Sequence, residues 1–263
     1  MKTSLIVSTY NRPDALELCL LSAFAQSDLP DEIIVADDGS GDDTADIVRG
    51  LSARARPLVH VRQEHQGFRA ARIRNKAIAR ATGEHIILVD GDMALHRDFV
   101  ADHKRFARPG AFTQGGRVLL TAEKTAEVLH TKQLRFSPWE SGLQNRKNTL
   151  HSGVLSWFAS GRRRTMKGIR TCNFALWMED VLSVNGFNQD FEGWGREDSE
   201  FALRLKHRGV RRRDIRFGAI AFHLHHPPQS RDSLSKNDAL LASTGEQRLA
   251  WCKNGLGKWL GGE

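Results

Sequence analysis

The chain has 263 residues, 40% hydrophobic and 27% charged, which is room for one large domain or two small ones and the composition of an ordinary globular protein. Its net charge of +8 draws anionic partners. No helix-turn-helix, zinc-finger or RNA-binding signature accompanies Arg162-Arg163-Arg164 or Arg211-Arg212-Arg213, so no nucleic acid is expected, and an acidic membrane surface or a phosphorylated lipid acceptor fits that charge better. The longest apolar runs, such as Ile86-Ile87-Leu88-Val89, fall far short of the roughly 18 to 20 residues that cross a bilayer. Met1–Val7 enters a strand pattern at once, without the apolar core and cleavage site of a secretory leader. Cys19, Cys172 and Cys252 form no zinc pattern and read as reduced thiols, which points to a cytoplasmic protein.

The first hundred residues alternate strand and helix. Leu5–Ser8 is a short apolar strand, and Asn11-Arg12-Pro13-Asp14 opens a helix with proline in the first turn, where its missing N–H costs nothing. Ile33–Ala36 is a second strand, followed by the turn Asp37–Gly41 and a helix over 42–54. Leu58–Val61, a helix over 69–81 and the strand Ile86–Val89 complete the run. Such alternation implies an α/β fold, a mostly parallel sheet flanked by helices, with ligands at the carboxyl ends of the strands. Asn11, Arg12, Asp37, Asp38, Asp90 and Asp92 all follow strand ends. Beyond residue 110 the pattern loosens, and 136–164 reads as a long irregular or mobile segment. Order resumes at Ile169, with a helix over about 196–208, a strand over 218–222 and a final helix over about 235–251. The halves 1–110 and 111–263 are expected to form one continuous domain.

Four constellations carry chemistry. In Asp90-Gly91-Asp92, two carboxylates at a strand end can turn toward one divalent cation, Mn²⁺ or Mg²⁺; an acidic turn has the same letters. His223, His225 and His226 cluster after a strand and suit a metal, although a surface histidine cluster also reads this way. The helix at 69–81 has an apolar stripe (Ala70, Ile73, Ala77, Ala81) and a basic one (Arg69, Arg72, Lys76, Arg80). One of those cations, or Arg74, could meet a diphosphate, or the basic face is simply solvated. Gly193-Trp194-Gly195-Arg196-Glu197-Asp198 places a flat aromatic plate, suited to a sugar face, before two acids at a helix start. Helical phase puts Asp198 with Phe201, Ala202 and Leu205 on the inward face and turns Glu197 about 100° away. Asp198 is therefore the better base, kept ionised by the helix dipole.

These motifs resemble a known family. Val7–Arg12, Asp37-Asp38-Gly39-Ser40, Arg74-Asn75 and Asp90-Gly91-Asp92-Met93 look like the nucleotide-sugar half of family 2 glycosyltransferases of the GT-A fold. Asn173, Asn185–Asn188, Gly193–Asp198 and His223–Pro227 look like the half shared by β-1,4-galactosyltransferases and bacterial chondroitin-type polymerases, and the tail resembles enzymes of lipopolysaccharide and surface-glycan assembly. The resemblance implies that Thr9, Tyr10, Arg12 and Asp38 hold the nucleotide, with Asp38 on uracil. It implies that Asp90 meets ribose or metal, and that Asp92, His223 and His226 ligate the metal. Trp194 and Glu197 would flank the acceptor, and Asp198 would be the base. Arg196 stands where animal galactosyltransferases have glycine, Ser199 where they have a further acid, and Cys172 where glycine is common. The implied reaction is an inverting, metal-dependent transfer from a UDP-sugar to a saccharide or lipid-linked saccharide at the inner face of the plasma membrane. A nucleotidyltransferase would need a glycine-rich triphosphate loop, which Thr9–Asp14 lacks. An inactive glycan- or membrane-binding module would not need Asp90, Asp92, Asp198 and His226.

Overall fold

The structure, a computed structural model, describes residues 1–53 and 57–261. In chain order the elements are β1 (Thr3–Thr9), α1 (Pro13–Phe24), β2 (Glu32–Asp37), α2 (Asp42–Leu51), β3 (Leu58–Arg62), α3 (Ala70–Arg80) and β4 (His85–Asp90). There follow β5 (Met93–Leu95), α4 (Phe99–Phe106), β6 (Ala111–Gln114), β7 (Arg117–Leu120), α5 (Ala122–Thr131) and β8 (Leu143–Gln144). The rest are α6 (Gly153–Ala159), β9 (Gly161–Arg163), β10 (Asn173–Trp177), α7 (Met178–Ser183), α8 (Glu197–His207), β11 (Arg211–Asp214), β12 (Ala221–His223) and α9 (Leu234–Glu246). The α/β alternation read from the sequence is present over the first ninety residues, and the end of the helix expected at 42–54 lies outside the described residues.

Eight strands form the main sheet in the order β3-β2-β1-β4-β10-β6-β11-β9, and four form a small one, β5-β12-β7-β8. β1, β2, β3 and β4 are parallel, with register Val7↔Val35 and Val7↔Val89. The order reverses between β1 and β4, so a crevice opens beyond their carboxyl ends, at Thr9 and Asp90. β10 joins antiparallel to β4, carrying the C-terminal half into the same sheet. The sheet is packed on both faces: Leu5, Val7, Ile33, Val35, Ile87 and Val89 meet α1 and α4 on one side, and Ile6, Ile34, Ile86 and Leu88 meet α3, α7 and α8 on the other. Continuous apolar strands are what such a two-sided burial demands.

The segment 136–164 is not one long irregular loop. It contains β8, a 3₁₀ turn at Arg146–Thr149, α6 and β9. The arginine runs lie largely in strands: Arg162 and Arg163 pair with Arg213 and Arg212 in the β9–β11 ladder. Arg212 is buried there, donating to Asp214 at 2.7 Å and to the carbonyls of Thr165 and Lys167. Neighbours in space neutralise it, and no local pattern reveals them. The three cysteines are buried and free.

Candidate active site

A cleft of about 1100 Å³ opens at the carboxyl ends of β1 and β4, and Thr9, Tyr10, Arg12, Asp38, Arg74, Asp90, Asp92, Trp194, Glu197, Asp198, His223 and His226 all line it, whereas Asp37 does not. The turn after β4 packs directly on β1. Gly91 donates to the Ser8 carbonyl at 2.7 Å, and a Cβ there would sit 3.1 Å from that oxygen. Asp90 and Asp92 are thereby delivered to the crevice floor.

One wall is built on Arg74, from α3. Its guanidinium is nearly inaccessible and lies 3.1 Å from Asp90, 3.5 Å from Glu197 and 3.2 Å from Asp198. Asp198 also accepts from the Thr171 N–H at 2.9 Å and from its hydroxyl at 2.6 Å. Both of its oxygens are therefore held, by groups from two separate segments. This corrects the reading from helical phase. Phe201, Ala202 and Leu205 do face inward, but Glu197 does not turn away: it is more buried than Asp198 and shares the same guanidinium. Arg196, the residue before α8, has φ +78°, and Gly193 and Gly195 also have positive φ. That backbone brings both first-turn acids to the cleft. Burial, and then the neighbouring charge of Asp198, push the Glu197 carboxyl upward against the pull of Arg74. Asp90 is pushed up likewise, by burial first, with Arg74 opposing. Among the remaining α3 cations, Arg72 and Lys76 lie over the Trp259 ring rather than in the cleft.

The opposite wall gathers Asp92, His223 and His226. Asp92 Oδ2 lies 3.5 Å from His223 Nε2 and 3.4 Å from His226 Nε2. The three donor atoms fall within 4.8 Å of one another. His226 Nδ1 donates to the Pro227 carbonyl at 2.7 Å, which fixes the ring with Nε2 toward Asp92. Burial, followed by the charge of Arg117, depresses His223 to about 3, so its imidazole is neutral. Asp92 Oδ1 is buried with no hydrogen-bond partner. A carboxylate and two imidazoles on one of its oxygens, with the other oxygen buried and unpartnered, fit a divalent cation. The His225 backbone is tied down, its N–H on Thr125 Oγ1 and its carbonyl accepting from Arg12, and its imidazole is outside the Asp92–His223–His226 cluster.

At the far end of the cleft Asp38 accepts from Gln63 Nε2 at 2.5 Å and from the Arg69 N–H at 2.7 Å. Tyr10 stacks on His65 with ring centroids 4.7 Å apart. Arg12 reaches Asp92 Oδ2 at 3.7 Å, joining the nucleotide end to the histidine wall. Trp194 is partly exposed over the opposite rim, with Arg231 5.8 Å above its ring. Thr171, Arg117 and Gln63 complete these contacts without having been singled out from the sequence, and Arg69, read there as a possible diphosphate cation, contributes its backbone N–H to Asp38 instead. A lone Thr or Gln carries no local signature, and each matters only through a neighbour far away along the chain.

The model of the family described as glycosyl transferase family 2 matches residues 4–169. The chain belongs to glycosyl transferase family 2. A second model, described as the N-terminal domain of galactosyltransferase, matches residues 152–227, the stretch that holds Thr171, Glu197, Asp198 and the histidines. Validoxylamine A glucosyltransferase of Streptomyces hygroscopicus subsp. limoneus is 29% identical to this family 2 chain over 227 residues, covering 79% of it and 48% of that relative. Chondroitin synthase of Pasteurella multocida (strain Pm70) is 28% identical over 247 residues, covering 88% of the chain and 25% of that relative. The chain thus spans about half the length of the first and a quarter of the second. Among solved structures, S. aureus TarS aligns over 93% of the chain and 39% of its own at 18% identity and a TM-score of 0.66. GalNAc-T7 with UDP, GalNAc and Mn²⁺ aligns over 93% of the chain and 48% of its own at 12% identity and a TM-score of 0.70. At these identities the likeness is one of fold, and it is the GT-A type of α/β architecture that the sequence motifs implied.

Proposed function

We propose that the chain is an inverting glycosyltransferase that moves a hexose or N-acetylhexosamine from a UDP-sugar to a saccharide or lipid-linked saccharide acceptor. The observation that carries this reading is the facing pair of walls: a fully held carboxylate, Asp198, across the cleft from the Asp92–His223–His226 cluster. Residues 1–110 would hold the donor, and 111–263 the acceptor and the base. Tyr10, Thr9, Arg12 and Asp38 line the nucleotide end, and Asp90 lies between them and Arg74. A divalent cation held by Asp92, His223 and His226, Mn²⁺ or Mg²⁺, would offset the charge that develops on the departing diphosphate.

Asp198 takes the proton from the acceptor hydroxyl as that oxygen bonds to the anomeric carbon from the face opposite the leaving group. The bond to the diphosphate oxygen breaks, and UDP leaves with the electron pair. Thr171 and Arg74 keep the carboxylate aimed, and Glu197 balances Arg74 from behind. Trp194 offers a plate for a sugar face at the rim. UDP and UDP-GlcNAc are bound by TarS, and GDP-Man with Mn²⁺ by a Pyrobaculum calidifontis mannosyltransferase of related fold, which supports a nucleotide-sugar donor and a divalent cation here. The pathway proposed is surface-polysaccharide or lipopolysaccharide assembly. The test is a binding and hydrolysis screen of UDP-, GDP- and dTDP-sugars with and without Mn²⁺. Mn²⁺-dependent preference for a UDP-sugar is expected; equal affinity for all three nucleotides, or for none, would overturn the donor assignment.

A further inference from the structure

α6 is an inside-out helix. Its sequence is Gly-Val-Leu-Ser-Trp-Phe-Ala, and the one residue it buries is Ser156, at 0% exposure. Val154 is 69% exposed, Trp157 62% and Phe158 83%, with Leu150 and Leu155 also open. A surface helix ordinarily turns its apolar stripe to the core. Scattered single apolar residues at a surface need no explanation, but a contiguous patch of this kind does.

The helix is firmly seated in that orientation. Ser152 caps its start, accepting from the Leu155 N–H, and donates its own N–H to the Phe217 carbonyl at 3.0 Å. Ser160 at its end accepts from the Arg216 N–H at 2.9 Å. Gly218 underlies it so closely that a Cβ would come within 3.1 Å of Ser156 Oγ. Small residues and serine hydroxyls hold the inner face, so the large apolar side chains are presented outward by construction.

The charge around the helix has one sign. From Ser141 to Met178 the chain carries seven Lys and Arg and no Asp or Glu. Arg163 is paired with Asp214 at 3.3 Å. Among the described residues, Lys147, Arg162, Arg164 and Lys167 form no ion pair and all are exposed. Aromatic and aliphatic groups flanked in the chain by exposed, unpaired cations match a bilayer with anionic headgroups, the rings entering the interface and the cations meeting phosphates. The same stretch then runs into the cleft, where Gly168, Ile169 and Arg170 form part of the wall.

We infer that α6 and the strand after it are a docking surface for an anionic phospholipid membrane. This deepens the function proposed above by holding the acceptor side of the cleft near a lipid surface; only the delivery of a lipid-linked acceptor rests on that reading. The chain has no helix long and apolar enough to cross a membrane among its described residues, so contact of this kind would be interfacial.

Flotation with phosphatidylcholine vesicles, with and without phosphatidylglycerol, tests it, alongside UDP binding by calorimetry. The chain should float with the anionic vesicles and not with the neutral ones. Trp157→Ser/Phe158→Ser should weaken that binding roughly tenfold or more. Arg162→Gln/Arg164→Gln/Lys167→Gln should weaken it on the order of a hundredfold and reduce its salt dependence. Melting temperature and UDP affinity should stay unchanged in both variants, since none of these side chains lines the cleft. No flotation with anionic vesicles, or flotation untouched by Trp157→Ser/Phe158→Ser, overturns the inference. So does a concentration-dependent dimer without lipid that this variant abolishes, which would assign the patch to a second copy. Loss of UDP binding in the wild-type chain would count against the transferase reading and leave the membrane result standing.

Discussion

The two walls of the cleft are finished to different degrees. On the Arg74 wall every charged oxygen of Asp198 has a partner, from Thr171 or from the guanidinium. On the histidine wall Asp92 Oδ1 is buried without one, and two imidazole nitrogens converge on the other oxygen. A fully satisfied carboxylate is oriented and stays where it is. A buried oxygen left bare is costly unless something of opposite charge occupies the gap. The difference teaches which wall is built to hold a reacting group still and which is built to receive a ligand.

The comparison breaks most sharply at Asp198. Asp198→Asn should lower transfer by about a thousandfold or more, because the amide cannot take the acceptor proton, while UDP-sugar affinity stays within a few-fold. Transfer rates and calorimetry on the same preparation check it, and full activity in the variant would remove the base assignment. Arg74→Met should cost about 3 kcal/mol of stability, since it leaves Asp90, Glu197 and Asp198 together without their cation. Adding Glu197→Gln should recover part of that loss in denaturant melts; if it recovers nothing, the shared guanidinium is not what holds the wall. Asp92→Asn should weaken Mn²⁺-dependent UDP binding about a hundredfold, yet leave UDP binding in chelator unchanged. An unchanged Mn²⁺ dependence would detach the histidine wall from any metal.

The smallest effect concerns what pins the histidine wall from beneath. Asn173 donates to the carbonyls of Gly116 and Ala219, which precede the strands of the small sheet, and it accepts from His103 Nε2 at 2.9 Å. His103 Nδ1 takes the Thr113 hydroxyl at 3.0 Å. Burial lowers His103 from 6.5 to about 4, against the stabilising pull of Asn173. The folded chain keeps this imidazole neutral, whereas the unfolded chain protonates it below 6.5. The stability tied to it is therefore full above that pH and falls as pH drops toward 4, by about 2 kcal/mol at pH 5. Urea melts at pH 7 and pH 5 should show that loss, and His103→Gln should lessen it. An equal loss in the variant would assign it to other groups, His85 among them.

Legibility followed chain-local order. β1, β2 and β4 were readable because each is buried on both faces and therefore apolar along most of its length, with turn residues at its end. β9 and β11 were not, because strands of arginine look like solvated loops until Asp214 and the carbonyls at 165 and 167 are known to lie beside them. α6 was missed for a related reason: its apolar residues face outward, so it shows neither the length nor the stripe by which a core-facing helix is recognised. The acid pair is the instructive error. Helical phase assumes that the helix axis alone aims a side chain, yet Glu197 and Asp198 stand in the first turn, where a left-handed Arg196 and the pull of Arg74 outweigh phase.

By itself the sequence determined the parallel α/β half, the carboxylates at its strand ends and the family, because two-sided burial and turn chemistry are written locally. Tertiary structure alone decided which groups share a charge. It set Arg74 among three acids more than a hundred residues apart in sequence at the extremes, and closed Thr171 onto Asp198. Those choices depend on distances of a few ångströms between segments that meet only after the sheet has formed, and no period or spacing along the chain encodes them.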